Sequence, residues 1–161
     1  MQAGGGKEEA AMPMPRLPGQ TDRILIVDDD DAVRRSLKQA LASEFPGLTI
    51  DVATNGMEGM KIFHAGHPAV VLIDLFMPVM NGEQACRGIE RMCEKEGWAM
   101  PSVIFCTAHN PSREVRNFVA ANPSHLILQK PVKATVLVEA VRSRLVAAEA
   151  GPEQPPAAGN L

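Results

Sequence analysis

No apolar run in this chain approaches the roughly 18 residues of a membrane span. The first twenty residues, Met1 to Gln20, lack the apolar stretch of a secretory signal. Cysteine is scarce. Cys86, Cys93 and Cys106 make an odd count with no C-x-x-C spacing, which excludes a disulfide framework and a cysteine-rich metal site. Cys106 follows Val103-Ile104-Phe105 and reads as a core thiol, while Cys86 and Cys93 read as helix packing residues. A cytoplasmic location is the expectation. There is no tyrosine and a single tryptophan, Trp98, which reads as a packing plug. Excess positive charge is also missing: the net charge is −3, so electrostatics alone suggest no affinity for nucleic acid.

What is present is ordinary for a globular domain: 161 residues, 45% hydrophobic and 22% charged. That length suits one domain with a respectable core. Residues 1 to about 21 are rich in Gly, Pro, Ala and Met and read as a flexible tail. Residues 150–161 read as a second tail or a linker. Between them, over 22–149, strand and helix signals alternate. Ile24–Val27 is too short for a helix and reads as a buried strand. Asp31–Glu44 places Val33, Leu37, Ala40 and Leu41 on one helical face, and Pro46-Gly47 stops it. Leu48–Ala53 alternates as a strand. Gly56–Ala65 is a short helix with Gly66 at its capping position. Ala69–Ile73 is a third strand, Met77–Gly82 a loop, Glu83–Cys93 a helix and Ser102–Cys106 a fourth strand. Pro111–Ala121 is a helix with proline at its first position. Leu126–Leu128 and Lys133–Ala148 close the series. Five βα units in sequence imply a parallel sheet covered on both faces.

Charge sits where such a sheet would place its ligand. In open α/β sheets, ligands bind beyond the carboxyl ends of the strands. Asp28 and Asp29 follow the first strand, Asp74 the third, Thr107 the fourth and Lys130 the fifth. Three carboxylates gathered in one place form a costly anionic pocket unless a cation neutralises them. Oxygen ligands of this kind suit Mg²⁺, which also takes phosphate oxygens. A hydroxyl and an ammonium suit two oxygens of a phosphoryl group. Asp30 and Asp31, in contrast, read as the start of a helix. His64 and His67 have no third metal ligand in view and read as a solvated helix end.

Four segments, in order and at strand ends, carry a resemblance: Ile-Leu-Ile-Val-Asp-Asp at 24–29, Leu-Ile-Asp-Leu-Phe-Met-Pro-Val-Met-Asn-Gly at 72–82, Cys-Thr-Ala at 106–108 and Lys-Pro at 130–131. Over residues 22 to 148 the chain resembles the receiver domain of two-component response regulators. The resemblance implies a doubly wound, flavodoxin-like α/β fold with strand order 2-1-3-4-5. It implies that Asp74 takes a phosphoryl group from a phosphohistidine. Mg²⁺ would be held by Asp29, Asp74 and the backbone carbonyl of Phe76, and through water by Asp28. Lys130 would bind the carboxylate and then the phosphoryl group, with a cis Lys130–Pro131 bond aiming it inward. Thr107 would move to a phosphoryl oxygen. The implied partners are a sensor histidine kinase or histidine phosphotransfer protein and a downstream protein target. The protein would assist its own phosphorylation and dephosphorylation without being an enzyme in the ordinary sense. With no DNA-binding or catalytic domain after residue 150, the expectation is a stand-alone receiver that touches neither nucleic acid nor membrane.

The chain departs from that pattern in places. Receivers often carry an aromatic three residues before the lysine, and here that position is Ile127. Arg91–Met100 is longer than usual, and Pro123-Ser124-His125 replaces a common Gly-Ala approach to the fifth strand. Phe76 and His109, two residues after Asp74 and Thr107, stand where side chains admit or block a hydrolytic water. On the last helix, Ala134, Leu137, Val138, Val141 and Leu145 read as the core face. Val132, Val136, Ala140, Ser143 and Ala147 read either as plain helix formers or as a docking or homodimer strip on the α4–β5–α5 face. Two rival functions remain: a phosphorylation-independent interaction module, supported by Ile127, and a haloacid-dehalogenase-type phosphatase. The latter needs a second Asp at the position held by Phe76. A Rossmann domain is disfavoured because no Gly-rich loop follows the first strand.

Overall fold

The computed structural model describes residues 20–150. Its elements are β1 (Gln20–Val27), α1 (Asp31–Glu44), β2 (Thr49–Ala53), α2 (Gly56–Gly66), β3 (Pro68–Ile73), α3 (Gly82–Glu96), β4 (Ser102–Thr107), α4 (Arg113–Ala120), β5 (Leu126–Gln129) and α5 (Ala134–Ala150). The five strands are parallel and ordered β2-β1-β3-β4-β5.

Alternation along the central strands divides the core into two layers. Leu25 and Val27 of β1, with Val71 and Ile73 of β3, point toward Phe63 of α2 and Ala85, Cys86 and Ile89 of α3. Ile24 and Ile26, with Val70 and Leu72, point toward Leu37 and Leu41 of α1 and Leu137 and Val141 of α5. Because both faces are buried, every residue matters to the core and the strands read as unbroken apolar runs. All three cysteines are free and buried. Burial pushes the Cys86 and Cys106 thiols up to about 12 and Cys93 to about 11, so none is a thiolate at neutral pH.

Several local boundaries differ from the sequence reading. β1 begins at Gln20, inside the segment read as tail, while residues 1–19 and 151–161 lie outside the described residues. α2 runs through Gly66, and its cap is His67, which takes the left-handed conformation at φ 48°. α4 starts after Pro111, because the Ser112 side chain accepts from the Val115 N–H and so fixes the N-cap one residue later. The extra length before β4 is taken up mostly by helix. α3 continues to Glu96 and ends on Gly97 at φ 72°. Trp98 then packs on the Phe63 edge and on the His67 ring, 4.1 Å between centroids.

On α5 the proposed second strip breaks up. Ala140 is buried and Val132 packs into the α1/α5 layer, whereas Ala134, read as core, is exposed. Of the five strip residues only Val136, Ser143 and Ala147 face solvent.

Candidate functional site

Strand register brings the acids together. Val27 of β1 lies level with Ile73 of β3, so the next residues on each strand, Asp28 and Asp74, emerge side by side. The Asp74 N–H donates to the Val27 carbonyl at 3.0 Å, and the Asp28 N–H donates to Ala53 at 3.2 Å. On the same sheet Ile73 is level with Phe105, and Phe105 with Ile127. Thr107, which ends β4, and Lys130, just past β5, therefore lie two and three residues past that line.

Asp28 and Asp74 are both buried, Asp29 is exposed, and each offers a carboxylate oxygen within 4.8 Å of the others. Lys130 reaches in from beyond β5: its ammonium lies 2.7 Å from Asp28 Oδ2 and 3.2 Å from Asp74 Oδ2. The Lys130–Pro131 peptide is cis. Burial raises the Asp28 carboxyl above its usual range, and the Asp74 charge adds to that. The Lys130 ammonium and the Asp30 N–H, at 2.9 Å from Asp28 Oδ1, offset it only in part. Burial opposes the charge on Lys130 too, but its bonds to the two carboxylates outweigh burial and raise its pKa. Both directions describe one condition: carboxylates outnumber the cation, and further positive charge is stabilised there. An all-oxygen donor set with surplus negative charge fits a hard divalent cation.

The remaining predicted residues lie around this core. The Phe76 N–H donates to Asp74 Oδ1 at 3.3 Å, and its ring is 53% exposed. Thr107 is fully buried. Its hydroxyl accepts from the His109 N–H at 3.1 Å, and its carbonyl accepts from the Lys130 N–H at 2.8 Å. Among the described residues no hydrogen bond joins Thr107 to the carboxylates. Asp30 serves as the α1 N-cap, accepting from Ala32 and Val33, and Asp31 pairs with Arg34 and Arg35, as a helix start requires.

Three features escaped the sequence reading. Arg34 donates to the Asp28 carbonyl at 2.6 Å and so braces the loop from behind, although an arginine one turn into the helix carried no signal of its own. The Phe76 and His109 rings meet edge to face at 4.6 Å, joining the loops that follow β3 and β4. His125, noted only as a departure, is buried, and its Nδ1 accepts from the Val103 N–H at 3.0 Å.

The sequence model of the response regulator receiver domain matches residues 24–142. The chain belongs to that family. This receiver is 30% identical to the response regulator MprA of Mycobacterium sp. (strain KMS), over 83% of its own length and 55% of the relative's. It is 35% identical to the positive alginate biosynthesis regulatory protein of Pseudomonas aeruginosa, over 74% of its own length and 45% of the relative's. The receiver thus spans about half the length of these curated relatives. Among solved structures, it resembles a CheY-like response regulator receiver domain protein from Methanospirillum hungatei at 27% identity and a TM-score of 0.66. That match covers 81% of this receiver and 98% of that chain. The N-terminal domain of an uncharacterized protein from Wolinella succinogenes matches at 30% identity and a TM-score of 0.64, with the same coverage. The strand order is that of the CheY-like fold. No helix among the described residues is long and apolar enough to cross a membrane.

Proposed function

We propose that this receiver accepts a phosphoryl group on Asp74 from the phosphohistidine of a sensor histidine kinase or histidine phosphotransfer protein. It then signals, in the cytoplasm, through contact with a downstream protein. The observation that carries this reading is Lys130 bridging the two buried carboxylates of adjacent strands, at 2.7 and 3.2 Å.

An Asp74 carboxylate oxygen forms the new bond to phosphorus as the phosphorus–imidazole nitrogen bond breaks, and the donor imidazole leaves with the electron pair. Little covalent help is needed from the protein; positioning and charge neutralisation dominate. Asp28, Asp29, Asp74 and the Phe76 main-chain carbonyl would hold Mg²⁺. The chemistry such an ion supplies when bound is neutralisation of charge on the phosphoryl oxygens. Lys130 supplies a second positive charge and a donor to the same oxygens. Asp28 is held for its task by the Asp30 N–H on its carboxylate and by Arg34 on its carbonyl. The Thr107 hydroxyl would exchange its bond from His109 for a proton donated to a phosphoryl oxygen, coupling the β4–α4 loop to the new charge.

Intact mass after incubation with acetyl phosphate and Mg²⁺ tests the proposal. One phosphoryl adduct should form on the wild type, and none on Asp74→Ala or in the presence of chelator. An adduct that survives Asp74→Ala refutes the assignment. One observation favours a second reading, a phosphorylation-independent module: Ile127, packed level with Phe105, offers no ring to follow Thr107. A beryllofluoride titration separates the two, because only a switching receiver binds that mimic with Mg²⁺. Homodimer contact through α4, β5 and α5 would now rest on exposed Val136 and its neighbours.

A further inference from the structure

Away from the carboxylates, α3 and α4 part to leave an open cleft of about 360 Å³. Trp98, Met100 and Phe118 line it with apolar surface, and Glu90 and Glu94 line it from α3. Glu94 has no ion pair among the described residues, and Glu90 has only a loose one, 3.7 Å from Arg87. The cleft is therefore apolar inside and anionic along one side.

His125 supplies a second, independent feature. Its ring forms part of the cleft wall, is only 6% exposed and stacks on Phe118 at 4.6 Å with 9° between planes. Because Nδ1 accepts from the Val103 N–H, the ring proton is on Nε2. That Nε2–H has no acceptor among the described residues. A buried donor without a partner is costly, and such groups mark places where something else binds. Burial, aided by the nearby Arg144 charge, holds the ring neutral by lowering its pKa to about 4, so it donates without repelling a cation.

From this arrangement we infer that the α3–α4 cleft docks a basic segment of a partner protein. An arginine or lysine side chain lays its apolar stem against Trp98 and Met100, since His125 and Arg87 already cover Phe118, and directs its charge to Glu90 and Glu94, while a segment carbonyl accepts from His125 Nε2–H. Charge complementarity selects this occupant: an acidic segment would meet two carboxylates, and a purely apolar one would leave them and the histidine donor unpaired. The inference is independent of phosphorylation, since none of these residues belongs to the carboxylate site.

Trp98 is the only tryptophan, so its fluorescence reports on this cleft directly. The full chain is titrated with a blocked hexapeptide of alternating arginine and leucine and with its glutamate–leucine counterpart. The basic peptide should shift Trp98 emission saturably, and the acidic one should not. The double variant Glu90→Gln/Glu94→Gln should weaken binding about tenfold, through loss of two charge-assisted contacts. Glu44→Gln/Glu139→Gln, the same change in net charge on α1 and α5, should stay within about twofold. In NMR spectra the His125 Nε2–H should exchange more slowly with water when the peptide is bound. Absence of binding, equal weakening by both double variants, equal binding of the acidic peptide, or no protection of the His125 proton overturns the inference. Blocked arginine binding alone as tightly as the peptide would assign the cleft to a small cation and overturn segment docking.

Discussion

A Cβ on residue 82 would lie 2.2 Å from the carbonyl oxygen of Asp74. Gly82 opens α3, and its N–H donates to the Leu75 carbonyl at 3.0 Å. The helix start is therefore drawn onto the backbone of Asp74, the proposed phosphoacceptor, and the obstructing atom cannot rotate away. Gly82→Ala should force α3 and Asp74 apart, lowering stability by about 3 kcal/mol. It should also slow adduct formation from acetyl phosphate. Thermal unfolding and intact mass measure the two effects, and an unchanged melting temperature would show that the helix shifts freely.

Lys130 is the cation the two buried carboxylates share. Lys130→Ala should reduce the rate of phosphoryl uptake about a hundredfold, the scale of losing one preorganised donor to developing charge. Asp28 would respond by taking up a proton, which limits the stability loss to about 2 kcal/mol. Time-resolved intact mass and urea unfolding are the measurements.

Phe76 and His109 join ring to ring across the loops that flank Asp74. A bulky ring beside Asp74 cannot orient water, so the aspartyl phosphate should be long-lived. Phe76→Asn should accelerate its loss about tenfold by admitting and holding a water. Autodephosphorylation rates of the two proteins decide this. Equal rates would leave His109 as the group that governs water.

The stability of the fold should depend on pH through His125. In the unfolded chain the ring titrates near 6.5, and in the fold near 4. Above 6.5 both forms are neutral and stability is flat. Between 6.5 and 4 the unfolded chain takes up a proton that the folded chain refuses, so stability falls with pH. The loss is about 2 kcal/mol after a discount for the small part of the ring that stays exposed. Subtracting the profile of His125→Asn, whose amide oxygen takes the Nδ1 position and can still accept from Val103, isolates this histidine from the carboxylates. A difference curve without slope between pH 6.5 and 4 would contradict the burial argument.

Val79 is a β-branched residue at φ 71°, and it is 89% exposed. The strain is not offset by packing. Val79→Asn should relieve it and raise stability by about 1 kcal/mol. Chemical unfolding of the variant checks the sign.

The sheet and its site were legible for one reason. Ile24–Val27 and Val70–Ile73 are buried on both faces, so the apolar run and the acid that ends it stand out without any partner in view. Features that depend on a distant partner were not legible. His125 reads as a loop residue until Val103, on another strand, offers its N–H. The last turn of α3, Glu94-Lys95-Glu96, is solvent-facing and carries no apolar period, so the sequence pattern ends at Cys93. At α4 the sequence reading rests on the fixed φ of Pro111, whereas the bond from the Val115 N–H to the Ser112 side chain sets the start. On α5, Leu137, Ala140 and Val141 share the core, and a small residue such as Ala140 gives little pattern by which to place it.

The carboxylates grow from β1 and β3, buried between layers of helix, whereas Lys130 follows β5, four half-buried to exposed residues at the sheet edge. Amides of the two central strands should exchange only when the whole domain opens, and those of β5 through local fraying. Fraying at the edge withdraws the ammonium and leaves the acids in place. Under partial denaturation this pocket therefore fails by losing its cation before its carboxylates, becoming for a moment more anionic than it is at rest.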